Sequence, residues 1–245
     1  MFQGAIRYSD GDVIEVAGIR VRLTVSARAR LVSLRVDRSR GEVLAIAPHP
    51  RRLRSAVAFA HERREWIAEH AAELTAPVKL APGLELIVFG TPCRLARAPG
   101  RASLEGPEWE RGTRIRYRAD EAAYTRAVIG LIKREARAWF TPRLGAHCAA
   151  LGVEVPRFSI VDAKTRWGSC TPPDPSGPAS IRLSWRLALA PPPVADYVAA
   201  HECAHLIHDD HGPAFWGVVR RLVGDDRPHR AWLRSEGPRL HAYGG

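Results

Sequence analysis

His201-Glu202-Cys203-Ala204-His205, followed six residues later by His211, is the stretch that decides how this chain is read. On a helix, residues four apart lie one above the other on the same face. His201 and His205 can therefore offer two imidazoles to one metal ion. Glu202 follows about 100° round the helix. It can reach a water on that metal but is poorly placed to compete as a ligand. His211 lies beyond the helix end, where the chain must turn back to bring a third imidazole. Three protein ligands and one open position make the catalytic form of a zinc site. The spacing thus predicts Zn2+ on His201, His205 and His211, with Glu202 as the acid/base.

The flanking residues support a buried helix. Pro191, Pro192 and Pro193 can open a helix but not continue one, which places its start near Val194. Val194, Val198 and Leu206 give it apolar positions, and Tyr197 lies one turn before His201. Imidazoles buried there are costly unless paired or metal-bound. The third ligand has rivals. His208 is three residues after His205 and reads as a turn residue. It stands where three-histidine proteases turn at a glycine, and histidine tolerates a left-handed backbone better than most residues. Those proteases also carry a methionine below the metal, and the only methionine here is Met1. Glu236, the only glutamate after Glu202, is the second choice.

The chain has 245 residues, enough for one large domain or two small ones. Residues 1–16 contain charges and no long apolar stretch, and no run is long enough to span a bilayer. Four widely spaced cysteines, Cys93, Cys148, Cys170 and Cys203, fit reduced thiols. A cytoplasmic location without membrane contact is expected. Cys203 points roughly 200° from His201 and should pack inward. The net charge is +11, carried almost entirely by arginine. Arg20, Arg22, Arg28 and Arg30 alternate in extended chain and could form a basic patch. Nucleic acid is a candidate partner for this Arg-rich N-terminal surface, with solvated surface charge as the plain alternative.

The element pattern predicts an α+β protein in two parts: a β-rich N-terminal domain with one long helix over 1–119, and a catalytic domain over 120–245. Strands are expected at 19–25, 31–37 and 43–47, then a helix at 53–74, a hairpin at 84–96 and a loop at 98–112. A short strand at 115–118 closes the first part. The second part should hold a long helix at 121–151, broken at Pro142, and strands at 158–170 and 181–187. The intervening 171–180 is rich in Pro, Gly and Asp and cannot be regular. The metal helix follows, then a helix opened by Pro213 and a last one over 228–236. Trp167 and Trp185 read as core. Arg166 and Lys164 read as surface charge, with oxyanion stabilisation as their functional alternative.

Arg166-Trp167-Gly168-Ser169-Cys170, Ile181-Arg182-Leu183-Ser184-Trp185-Arg186-Leu187, Tyr197-Val198, the His201-to-His211 motif and Phe215-Trp216 occur in that order. With Ala27-Arg28-Ala29-Arg30, Ser33-Leu34-Arg35-Val36, Pro48 and Trp66, this resembles the YgjP-like metallopeptidase family, itself similar to SprT-like and WLM-type zinc peptidases. The resemblance implies a zincin-like catalytic domain, zinc on His201, His205 and His211, and Glu202 as catalytic acid/base. Two departures stand out. Position 203 is Cys where a larger apolar residue is usual, and the 171–180 loop is longer than usual. The expected function is zinc-dependent hydrolysis of peptide bonds in cytosolic proteins, some of them DNA-associated. A peptide could bind by adding a strand beside Trp167-Gly168-Ser169. Two alternatives remain: a metal-dependent phosphohydrolase acting on nucleotides, and a nucleic-acid-binding protein with a structural zinc site. Glu202 weighs against the last, since a structural site needs no general base.

Overall fold

The computed structural model describes residues 7–244 except 39, 73, 75, 99, 106–113, 117–119 and 174–176. The architecture is α+β, with seven helices and three small sheets among the described residues. The chain divides into one compact unit up to Val78 and a second over Lys79–Gly244.

The first unit is built on a four-stranded sheet in the order β1-β2-β4-β3: β1 Val13–Val16, β2 Ile19–Val25, β3 Ser33–Asp37 and β4 Glu42–Ala47. β2 and β4 run parallel; the other pairs are antiparallel. Period-two alternation sends Val21, Leu23, Val43, Ala45 and Ala47 into the core, where Leu53, Ala56, Val57, Ala60 and Ile67 meet them. The helix expected over 53–74 is broken at Arg63 into α1 (Leu53–Glu62) and α2 (Arg64–Ala71), and residue 73 lies outside the described set. The opposite sheet face carries Arg20, Arg22 and Arg35. Arg22 and Arg35 both sit beside Leu44 in the register. Arg22 donates to both carboxylate oxygens of Glu42 at 2.7 Å, so its charge is largely neutralised.

The second unit begins earlier than the composition suggested. An antiparallel meander shares its core with the long helix. Its strands are β5 Glu85–Val88, β6 Thr91–Ala98, β7 Arg101–Glu105 and β8 Arg114–Arg116. Leu86, Val88, Leu95, Ala102 and Leu104 share one core with Val128, Leu131 and Ile132, which places this meander in the second unit and not, as expected, in the first. β7 lies inside the stretch expected to be loop; it is only five residues long, lacks a period-two pattern and is flanked by Gly and Pro. Of the strand expected at 115–118, residues 117–118 lie outside the described residues.

α3 (Glu121–Leu151) is a single helix through Pro142. Asp120 caps it by accepting from the Ala123 amide, and Gly152 ends it in a left-handed conformation. The stretch expected as one strand over 158–170 is two, β9 (Arg157–Val161) and β10 (Gly168–Thr171). They lie on opposite sides of β11 (Ser180–Ser184), giving the order β10-β11-β9. The chain leaves β9 at Asp162 because that carboxylate is held by Arg186 and by Trp185 Nε1 at 3.0 Å. Residues 174–176 of the irregular 171–180 loop lie outside the described residues. α4 (Pro192–Ala204), α5 (Pro213–Val223), α6 (Arg227–Ser235) and α7 (Gly237–Leu240) complete the unit. Among the described residues no helix is long and apolar enough to cross a membrane.

Candidate metal centre

α4 begins at Pro192, two residues before the expected start, with the Pro191 carbonyl accepting from the amides of Val194 and Ala195. Ala195, Ala199, Ala200, Cys203 and Ala204 are fully buried, so α4 is a core helix whose last turn delivers His201 and Glu202. His205 follows immediately and keeps the helical spacing, its amide donating to the His201 carbonyl. The chain then tightens. Amides of Leu206, Ile207 and His208 return to the carbonyls of Cys203 and Ala204. His208 is not in the left-handed region; the reversal is made by this tight turn instead. Asp210 Oδ1 accepts from the Gly212 amide at 3.1 Å, and Pro213 opens α5. His211 is thereby brought back over the end of α4.

The three imidazoles converge. Their candidate ligand nitrogens all lie within 4.8 Å of one another, and ring centroids are 4.8–5.1 Å apart. Nε2 of His201 and Nε2 of His211 are 3.2 Å apart. Two donors on a tetrahedral ion at zinc–nitrogen bond lengths stand about 3.3 Å apart. His205 Nδ1 donates to the His208 carbonyl at 3.0 Å, which leaves Nε2 as its lone-pair nitrogen. His208 thus contributes its backbone and not its ring. His201 Nδ1 is buried and has no hydrogen-bond partner, so Nε2 is the nitrogen this ring turns towards its neighbours. Burial, then the facing His205 and His211, lowers the His201 pKa to about 4, which keeps its lone pair available at neutral pH. Glu236 stands apart from this group, with Oε2 accepting from Arg239 at 2.9 Å. The donor set fits a metal ion that prefers imidazole nitrogen.

Two supporting features were not apparent in the motif. Phe215 is fully buried with its ring centroid 4.9, 4.6 and 4.8 Å from His201, His205 and His211, a single apolar floor under all three. The His211-Gly-Pro-Ala-Phe215 spacing, with Phe215 two residues into the helix opened by Pro213, was the available signal. Gly168, on β10, lies directly against Glu202: a Cβ there would stand 2.7 Å from Glu202 Cδ and Cγ. Only glycine leaves room for the carboxylate where it is.

Glu202 is 5% exposed, and burial raises its pKa to about 7, against the opposing charge of Arg166. It shares a cleft of about 560 Å3 with His201, His205, His211, Arg166 and β10. Cys170 also lines this cleft, but burial pushes its thiol up to about 12. A thiol held protonated is a poor metal ligand. Cys203 points the other way, its Sγ 3.9 Å from that of Cys148. Trp185 is core and Trp167 half-buried against His241. Arg166 lines the cleft, while Lys164 lies in an adjoining hollow.

A convergent histidine trio beside a buried carboxylate, in an open cleft, is the constitution of a metal-dependent hydrolase. The family model for the YgjP-like metallopeptidase domain matches residues 30–236. The chain belongs to the YgjP-like metallopeptidase family. It is a peptidase that depends on a metal ion. No curated protein and no solved structure matches the chain.

Proposed function

We propose that this protein is a zinc peptidase of zincin-like architecture, with zinc on His201, His205 and His211 and Glu202 as general base. The observation that carries the reading is the shared cleft: three imidazole donors and one buried carboxylate face the same space. Zinc, when bound there, would polarise the scissile carbonyl and acidify the attacking water. Glu202 takes the proton of that water on its carboxylate and hands it to the leaving amine. Its pKa near 7 suits both halves of that task. Arg166, beside Glu202, restrains the upward shift and keeps part of the carboxylate ionised at neutral pH. Phe215 excludes water beneath the imidazoles.

β10 is the edge of its sheet, and the cleft runs along it. A peptide adding there as a strand would lay its backbone between β10 and the histidines. The substrates we propose are cytosolic proteins in extended or unfolded form, DNA-associated among them. Arg20 and Arg35, exposed on the outer face of the first sheet, are the candidate contacts to nucleic acid. Membership of a peptidase family favours the peptide bond over a phosphate ester. The test is digestion of an unfolded protein mixture by zinc-loaded enzyme, with and without single-stranded DNA, beside Glu202→Gln. Cleavage by the parent protein alone supports the assignment. Nucleotide turnover without proteolysis would overturn it.

A further inference from the structure

We propose that the hollow on the outer face of the β9–β11 sheet is a subsite for an acidic side chain of the substrate polypeptide, held by Lys164, Arg166 and Arg182. The inference rests on the peptidase reading and on strand addition at β10. The hollow measures about 300 Å3 and shares Arg166, Gly168 and Ser169 with the metal cleft. The two spaces therefore meet around one edge strand.

The register explains how. Gly168 pairs with Leu183 and Cys170 with Ile181. Leu183 and Ile181 are fully buried, so this is the inner face, the one that carries Glu202 against Gly168. Ser169 pairs with Arg182 on the opposite face, and Arg182 is exposed. A strand added to β10 must alternate its own side chains between these faces. Those on the inner face meet the metal cleft; the next residue along meets Ser169 and Arg182.

The hollow is cationic. Its one carboxylate, Asp162, is engaged by Arg186 and Trp185, and stands 3.7 Å from Lys164. Arg166 and Arg182 are exposed guanidinium groups, whose planar fork matches a carboxylate. A phosphodiester is the other anion such groups attract. The hollow, however, adjoins β10, a sheet edge among the described residues, whose backbone pairs with a peptide and not with a nucleic-acid chain.

The experiment uses the full-length, zinc-loaded enzyme and one peptide in which each position flanking the cleaved bond is in turn Glu, Gln or Lys. Glu should exceed Gln by about three- to tenfold in kcat/KM at alternate positions, through KM, and the preference should shrink with salt. In Lys164→Gln/Arg182→Gln the Glu-to-Gln ratio should fall towards one. Arg182→Glu should turn the preference towards Lys. Both sites are exposed, and unchanged melting temperatures would establish that the variants are folded. Equal cleavage of the three peptides, or a preference that survives the double variant, would overturn the subsite. So would an oligonucleotide competitor whose inhibition disappears in the double variant while no acid preference exists. Absence of cleavage of every peptide would overturn the peptidase reading, and the subsite with it.

Discussion

Replacing Gly168 with Ala should impair catalysis while leaving the metal centre intact. The added Cβ would stand 2.7 Å from Glu202 Cδ and Cγ, where ordinary carbon contacts begin near 3.4–4 Å. The carboxylate must therefore retreat by about 0.7 Å or more, and it is 5% exposed with little room to do so. Misplacement of a reacting group by about 1 Å can cost on the order of 100-fold in rate. We expect kcat to fall between about 10- and 100-fold, with overpacking lowering stability by about 1–3 kcal/mol. Zinc affinity, measured by competition with a chromophoric chelator, should change by less than about threefold, because the three atoms nearest the added Cβ all belong to Glu202. The assay is steady-state peptide cleavage beside Glu202→Gln, which should be inactive yet still bind zinc. If Gly168→Ala retained kcat within twofold of the parent, Glu202 would not be acting from its observed position.

Further outcomes follow from the same geometry. His211→Ala should weaken zinc binding by at least about 100-fold in chelator competition and abolish proteolysis, whereas His208→Ala should leave affinity nearly unchanged, since only the His208 carbonyl is used. Glu202 has its folded pKa raised from 4.5 to about 7, so its ionisation opposes folding as pH rises through that window. The metal-free Glu202→Gln protein should thus be more stable than metal-free parent by about 3 kcal/mol at pH 8. Denaturant unfolding should show that gap closing as pH drops below 4.5. For Asp162, burial raises the pKa but the Arg186 hydrogen bond and charge outweigh it, so the net shift is downward. Its contribution is present above 3.8 and lost as pH falls through the lowered value. Asp162→Ala, leaving the fully buried Arg186 without its carboxylate, should cost about 2–4 kcal/mol in denaturant unfolding at neutral pH.

The metal motif was legible because its geometry is local. Four-residue spacing on a helix aligns His201 with His205 whatever the rest of the chain does, and the prolines before it can only open a helix. The long helix over 121–151 was readable for the same reason, although it runs unbroken through Pro142, where a break was expected; its Asp120 cap was seen only in the structure. Medium-range features were less visible. β7 hid among Gly and Pro, and the extended stretch before Cys170 was two strands separated by a crossing.

What the chain order alone determined was the kind of chemistry: imidazole spacing, a carboxylate next to the first ligand, and a family pattern across most of the length. Tertiary packing decided the rest. It set His211 rather than Glu236 beside the other two imidazoles, Phe215 under all three, and Gly168 against Glu202 across 34 positions of sequence. It also joined the β5–β8 meander to the catalytic unit. Such appositions depend on which apolar faces share a core, and a side-chain period states that a face is buried without naming the face it meets.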